Sequence, residues 1–294
     1  MELKIISWNI RHFRKQKIGD YIHTLWEVMI WSDICFIYED HIGLGEELAD
    51  ALNKYELEQN KKHQQAQQPQ YIRSLSHWKG GDIHTLDEYV TFVWKQPYSV
   101  VNNTGVAAVF GSLMSGERCP AVVTVSGDKS VVIAAWHAYG PAKVSAKDLF
   151  QSVQRVDGCD ILIGDFNFQT GSKGGFSGGL TVSDGAFDLP ESLDFSSHGE
   201  APSNSNASSS TTVVPFRSAR LNEAIHMLEI VPENHKGSTT YTDEGIGKRT
   251  SGLDRCLVRK QYMDSVKLWV KVPDQFDEMI TLTDHMPLML IIRL

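Results

Sequence analysis

Six short polar motifs each close an apolar run in this chain: Ser7-Trp8-Asn9, Tyr38-Glu39-Asp40, Trp136-His137, Gly164-Asp165-Phe166-Asn167, Leu253-Asp254 and Thr283-Asp284-His285. Carboxylates, carboxamides and imidazoles at the ends of separate strands are the groups that hold a divalent metal, position a water and protonate a leaving oxygen. In the fourth motif the two-residue period of an extended chain puts Asp165 and Asn167 on one face, directly after Ile161-Leu162-Ile163. A carboxylate there can orient a water or bind a metal, and the carboxamide can donate to an oxyanion; a strand-ending turn is the plainer reading of the same residues. His285, beside Asp284 and before the apolar Met286-Pro287-Leu288-Met289-Leu290, can hydrogen-bond an oxyanion, with Asp254 available to fix its tautomer. Glu39 is the natural anchor for a hard ion such as Mg²⁺, with Mn²⁺ or Ca²⁺ as alternatives, assisted by Asn9 or Asp284. His137 can serve as a general acid, and Tyr139, two residues on, competes for that role.

These groups need strands to carry them. Short apolar runs rich in Val and Ile, bounded by Gly, Asp or Asn, occur at 3–6, 34–38, 89–94, 106–110, 121–125, 131–136, 161–163, 253–258, 266–270 and 287–292. Helical spacing of apolar residues runs from Ile18 to Trp31 and from Arg220 to Ile230. The chain therefore reads as α/β with many strands. Two stretches interrupt it: Gln59 to Gln70 is polar and Gln-rich, a surface loop or frayed helix end, and Gly171 to Thr212 is Gly- and Ser-rich. The second reads as a long insertion after the Asp165 motif, a surface loop or a lid. Because the motifs extend from Asn9 to His285, one site built from them makes residues 1–294 a single catalytic domain interrupted at about 171–212.

With 41% hydrophobic and 22% charged residues the composition is that of a globular protein with ample core. A net charge of −8 argues against nonspecific coating of nucleic acid, which relies on many phosphate contacts. It leaves room for an enzyme whose metal and few local arginines supply positive charge only where a phosphate sits. Cys35, Cys119, Cys159 and Cys256 lack metal-site spacing and read as buried free thiols. No apolar leader and no run of about 20 apolar residues is present, so the expected location is cytoplasmic, with export by a route needing no such signal as the alternative.

The motifs, in this order, resemble the endonuclease/exonuclease/phosphatase superfamily, and within it the deoxyribonuclease I and cytolethal distending toxin nuclease branches. Asn9-Ile10-Arg11 with Phe13, Arg118-Cys119-Pro120, Glu88 before Tyr89-Val90-Thr91-Phe92, and Arg249-Thr250-Ser251-Gly252-Leu253-Asp254 carry the likeness. The resemblance implies a four-layer α/β sandwich of two mixed β-sheets flanked by helices. It also implies a metal on Glu39 with Asn9, and water and phosphate handled by Asp165 and Asn167. His137 and His285 would be oriented by Glu88 and Asp254, and backbone phosphates held by Arg11 and Arg118. The implied activity is Mg²⁺-dependent endonucleolytic hydrolysis of DNA phosphodiesters by a monomer, housekeeping or toxin-type, the latter requiring an inhibitor protein. A phosphoesterase acting on phospholipid, inositol phosphate or RNA is the alternative on the same scaffold, and an inactive binding module is a third reading. The basic residues Arg11, Arg14, Lys15 and Lys17 favour DNA, since they leave a strand end where a phosphate backbone could run, though they also suit a solvated helix start. The chain departs from the deoxyribonuclease pattern at His41, where an arginine is usual, and at Leu86, where a stacking tyrosine is usual. Arg255 after Asp254 is similar to the corresponding segment of inositol polyphosphate phosphatases, whereas Phe168-Gln169-Thr170 after Asn167 lacks their arginine.

Overall fold

The computed structural model describes residues 2–62, 72–78, 88–113, 118–138, 151–167, 225–234, 241–242, 245–246, 253–271, 279 and 281–294. In chain order the elements are β1 (Glu2–Phe13), α1 (Lys15–Asp20), α2 (Ile22–Ile30), β2 (Ile34–Asp40), α3 (Gly45–Lys62), β3 (Ile72–Trp78) and β4 (Tyr89–Lys95). They continue with β5 (Ser99–Asn102), α4 (Thr104–Leu113), β6 (Ala121–Ser126), β7 (Ser130–His137), β8 (Ile161–Asp165) and β9 (Met227–Ile230). A two-residue pair, β10 (Tyr241–Thr242) and β11 (Gly245–Ile246), precedes β12 (Asp254–Arg259), β13 (Val266–Val270) and β14 (Leu288–Arg293). Tyr139 and residues 171–212 lie outside the described residues, as do Leu86 and residues 249–252.

Two six-stranded sheets result, ordered β13-β14-β1-β2-β4-β3 and β5-β6-β7-β8-β12-β9. Each is mixed: β1 and β2 are parallel in the first sheet, β7 and β8 in the second, and the other pairs are antiparallel. The central strands are buried along almost their whole length, which is why they read as continuous apolar runs rather than alternating ones. Helices α2 and α3 lie against the first sheet and α4 against the second, giving the four layers of an α/β sandwich. The sheets are tied through the core by Tyr38, whose buried hydroxyl donates to the Ile163 carbonyl at 3.1 Å and lies 3.0 Å from Ser7 Oγ. Such a phenol is buried at little cost because its polar end is satisfied.

Sequence patterning misreads three places. The apolar stretch 106–110 is not a strand but part of α4, because Asn103 caps it: its carboxamide oxygen accepts the Val106 N–H at 3.0 Å and its carbonyl accepts that of Ala107. The helix expected over 220–230 is replaced at its end by β9, where Met-Leu-Glu-Ile alternates buried and half-buried positions and pairs with β12. The helix over 18–31 is broken at Tyr21 into α1 and α2. Cys35, Cys159 and Cys256 are free and buried as expected, and burial pushes their thiols up, that of Cys159 to about 12.

Candidate active site

Local backbone devices aim the strand ends at one another. Parallel pairing of β7 and β8 sets Gly164 opposite Trp136, and a Cβ at Gly164 would stand 1.9 Å from the Trp136 carbonyl oxygen. With φ of +151° as well, only glycine fits, and the next residue, Asp165, is delivered to the strand tip. Asn167 adopts φ +53°, its N–H bonded to Asp165 Oδ1 at 2.9 Å and its Nδ2 to the Ala138 carbonyl at 2.8 Å. At the end of β2, Glu39 is also left-handed, φ +59°, and the following turn is locked by Asp40, whose carboxylate accepts the N–H groups of Ile42, Gly43 and Leu44 and the Thr91 hydroxyl. Such strained positions persist only where their surroundings fix them.

Asp165 is the meeting point. Its Oδ2 accepts Asn9 Nδ2 at 3.0 Å and lies 3.7 Å from the Nε2 atoms of both His137 and His285. The same Asn9 amine donates to Glu39 Oε1 at 3.1 Å, and the Asn9 oxygen accepts the Arg11 N–H at 2.9 Å. His137 Nε2 lies 3.8 Å from Glu39 Oε1. Behind each ring stands a carboxylate: His137 Nδ1 is 2.5 Å from Glu88 Oε1, and His285 Nδ1 is 2.8 Å from Asp254 Oδ2. Thr283 Oγ1 donates to the Asn9 carbonyl at 2.7 Å and accepts the His285 N–H, and Trp8 Nε1 donates to the His285 carbonyl. The backbone of His285 is thus held at two points besides its ring.

Burial by itself would push both imidazoles down. It is outweighed at His285 by the charge and hydrogen bond of Asp254, with Asp165 and Asp284 adding, and the imidazole is pushed up to about 10. At His137, burial is likewise outweighed by Glu88, Asp165 and Glu39, and the ring is raised. Burial would raise the Glu39 carboxyl, but His137, the His12 N–H and Asn9 hold it below the ordinary value. The arrangement can therefore present two protonated rings on either side of a carboxylate, with a second carboxylate alongside.

The donor set fits a divalent cation. Glu39 Oε1 and Asp165 Oδ2 converge on one amine, and Asp284 Oδ1 is buried with no hydrogen-bond partner among the described residues, an oxygen that a cation would satisfy. Asp165, Asp254 and His285 also bring ligand atoms within 4.8 Å of one another.

Three side chains stand otherwise than the motifs suggest. Arg118 does not reach outward but bonds Glu88 behind His137, its side chain only 10% exposed. Lys17 donates to the carbonyls of Ile10, Arg11 and Leu282 at 2.9, 2.5 and 2.7 Å, binding the end of β1 to the loop before His285 rather than facing a phosphate backbone. Arg255 points away from Asp254, as strand alternation requires, into a buried pair with Glu229 at 2.7 Å. Arg11 remains at the rim, 3.5 Å from Asp284, in an exposed pair. His12 and the backbone of His12 against Glu39 had no signal in the motifs, because the contact arises from the left-handed turns at Arg11 and His12.

Comparison with known proteins decides the fold. Over 100% of its length the chain is similar to 99% of the endonuclease domain of TRAS1, a telomere-specific non-LTR retrotransposon, with TM-score 0.51 and 10% identity. An endonuclease/exonuclease/phosphatase family protein from Leptotrichia buccalis is similar over 99% of this chain and 100% of its own, with TM-score 0.56 and 12% identity. The chain has the endonuclease/exonuclease/phosphatase fold. Truncated Caenorhabditis elegans TDP2 is similar over 100% of this chain and 98% of its own, with TM-score 0.50 and 10% identity. No protein-family model matches the sequence, and no curated protein matches it.

Proposed function

We propose that this protein is a divalent-metal-dependent phosphodiesterase that hydrolyses DNA. The observation carrying the reading is the convergence on Asp165 of two imidazoles, each backed by its own carboxylate and each presenting Nε2 at 3.7 Å. Similarity to a retrotransposon endonuclease domain supports a nucleic acid as the substrate.

Asp165 orients a water and takes its proton as oxygen attacks phosphorus. His285, held protonated by Asp254, donates from Nε2 to a non-bridging phosphate oxygen and steadies the charge that accumulates there. As the phosphorus–oxygen bond to the leaving group breaks, His137 Nε2 delivers a proton to that oxygen, and Glu88 keeps the ring oriented. Asn9 and Asn167 fix the Asp165 carboxylate through both its oxygens. Glu39 and Asp284 would hold the cation, Mg²⁺ in this reading, which when bound polarises the phosphate and neutralises its charge. Arg118 acts through Glu88, and Arg11 at the rim is the guanidinium left for a flanking phosphate. The burial of Arg255 against Glu229 removes the residue that favoured an inositol phosphate.

The test is conversion of supercoiled plasmid to nicked circles by the purified protein with Mg²⁺, with Mg²⁺ plus Ca²⁺, and with excess chelator, beside Asp165→Ala. Metal-dependent nicking that falls by about 10³-fold or more in the folded variant is expected. Undiminished cleavage in chelator overturns the metal, full activity in Asp165→Ala overturns the site, and no nicking by folded protein moves the substrate to phospholipid, inositol phosphate or RNA.

A further inference from the structure

Glu39 has a second side. Its Oε1 turns to Asn9 and His137, while its Oε2 accepts the His12 N–H at 2.9 Å and lies 3.7 Å from His12 Nδ1. His41 Nε2 stands 3.2 Å from the same Nδ1, and one ligand atom from each of His12, Glu39 and His41 falls within 4.8 Å of the others. The parallel strands β1 and β2 deliver these groups side by side: His12 sits in the left-handed turn near the end of β1 and His41 directly follows β2. His12 is exposed and His41 half-buried, so an ion can enter from solvent.

Two imidazole nitrogens and one carboxylate oxygen suit a borderline transition ion, whereas Mg²⁺ prefers oxygen alone. Bonds of about 2.0–2.1 Å in a tetrahedral site place ligand atoms roughly 3.3 Å apart. The observed separations of 3.2 and 3.7 Å lie on either side of that spacing. We propose that His12, His41 and Glu39 Oε2 form a binding site for a Zn²⁺-like ion at the rim of the cleft. The site is separate from the one on the Oε1 side and touches it only through the shared carboxylate. It needs no hydrolytic activity, so it stands or falls apart from the phosphodiesterase reading. A merely structural imidazole pair would hold its hydrogen bond and bind no metal.

The test uses the full chain freed of metal and kept in millimolar Mg²⁺. Titration with Co²⁺, followed by visible absorption, is expected to give ligand-field bands saturating at one equivalent and abolished by Zn²⁺. Calorimetry should show Zn²⁺ affinity reduced at least tenfold in His12→Ala and in His41→Ala, with circular dichroism verifying the fold. X-ray absorption on the Zn²⁺-loaded unmutated protein should count two imidazoles, against the single ring of the Asp165, Asp254 and His285 group, and the weakened binding in His12→Ala and His41→Ala separates this site from the His137 and His285 rings beside Asp165. Failure of the unmutated protein to bind either ion, a count of one imidazole, or unchanged affinity in a His12→Ala, His41→Ala double variant overturns the proposal.

Discussion

The His137 and His285 ends of the cleft are built alike and charged differently. Each ring comes from one sheet and is braced by a carboxylate from the other. His137 ends β7 in the second sheet and meets Glu88 just before β4 of the first; His285 leads into β14 of the first and meets Asp254 on β12 of the second. Glu88 also binds Arg118, so its charge is divided between a guanidinium and an imidazole, while Asp254 lifts His285 to about 10. A ring that keeps its proton across the neutral range suits standing charge donation, and one whose bracing carboxylate is shared suits proton exchange. On the proposed mechanism, two copies of one motif thus serve different tasks through their neighbours.

Replacing Asp254 by Asn breaks the comparison most severely. Without the Asp254 carboxylate, burial is opposed only by Asp165 and Asp284 and the His285 pKa falls. Hydrolysis at pH 8 should drop on the order of 10²-fold, less at pH 6, with the alkaline limb of the kcat/KM profile moved to lower pH. The unmutated protein keeps that limb toward pH 10 if His285 must be protonated. Stability follows the same sign: a folded-state pKa raised from about 6.5 contributes stability fully present below that value and lost as pH rises through about 10. The melting temperature should therefore fall across that window in the unmutated protein and stay flatter in Asp254→Asn. A matching pH profile in both proteins would remove His285 from the charged role.

Arg118→Ala sharpens the comparison at the other end. Releasing the guanidinium leaves Glu88 wholly to His137 and raises that ring further, so the alkaline limb that His137 sets in the kcat profile should shift upward with a loss of about tenfold. An unchanged pH profile would mean that Arg118 only packs. The smallest effect is expected from Lys17→Met, which leaves three backbone carbonyls without their ammonium partner. A loss of about 2 kcal/mol in urea unfolding should accompany a modest fall in activity, because the loop before His285 loosens.

Most of the strands and the polar residues at their tips were legible because buried central strands write themselves as apolar runs and Asp, Asn and His at their ends interrupt those runs. The strands β3 and β5 carry no such mark: Ile-Arg-Ser-Leu-Ser-His-Trp and Ser-Val-Val-Asn lie at sheet edges, where no apolar run is required. Helix α4 reads as a strand because its β-branched residues outweigh the Asn103 cap in the pattern. Pairings were harder. Glu88 and His137 are 49 residues apart and were joined only by family resemblance, and Lys17 carries no local mark of the three carbonyls it binds. Side-chain direction off a strand tip depends on single left-handed residues such as His12 and Glu39, which composition does not reveal.

The crossed bracing of the two rings also bears on the chain before it is fully assembled. A half-built molecule with only one sheet complete holds one imidazole without its carboxylate at one end and a carboxylate without its imidazole at the other, and lacks the Asn9 contact to Asp165 that spans the same gap. A shear of one sheet over the other would part both rings from their carboxylates together. On the proposed mechanism, turnover would thereby report the docking of the two sheets.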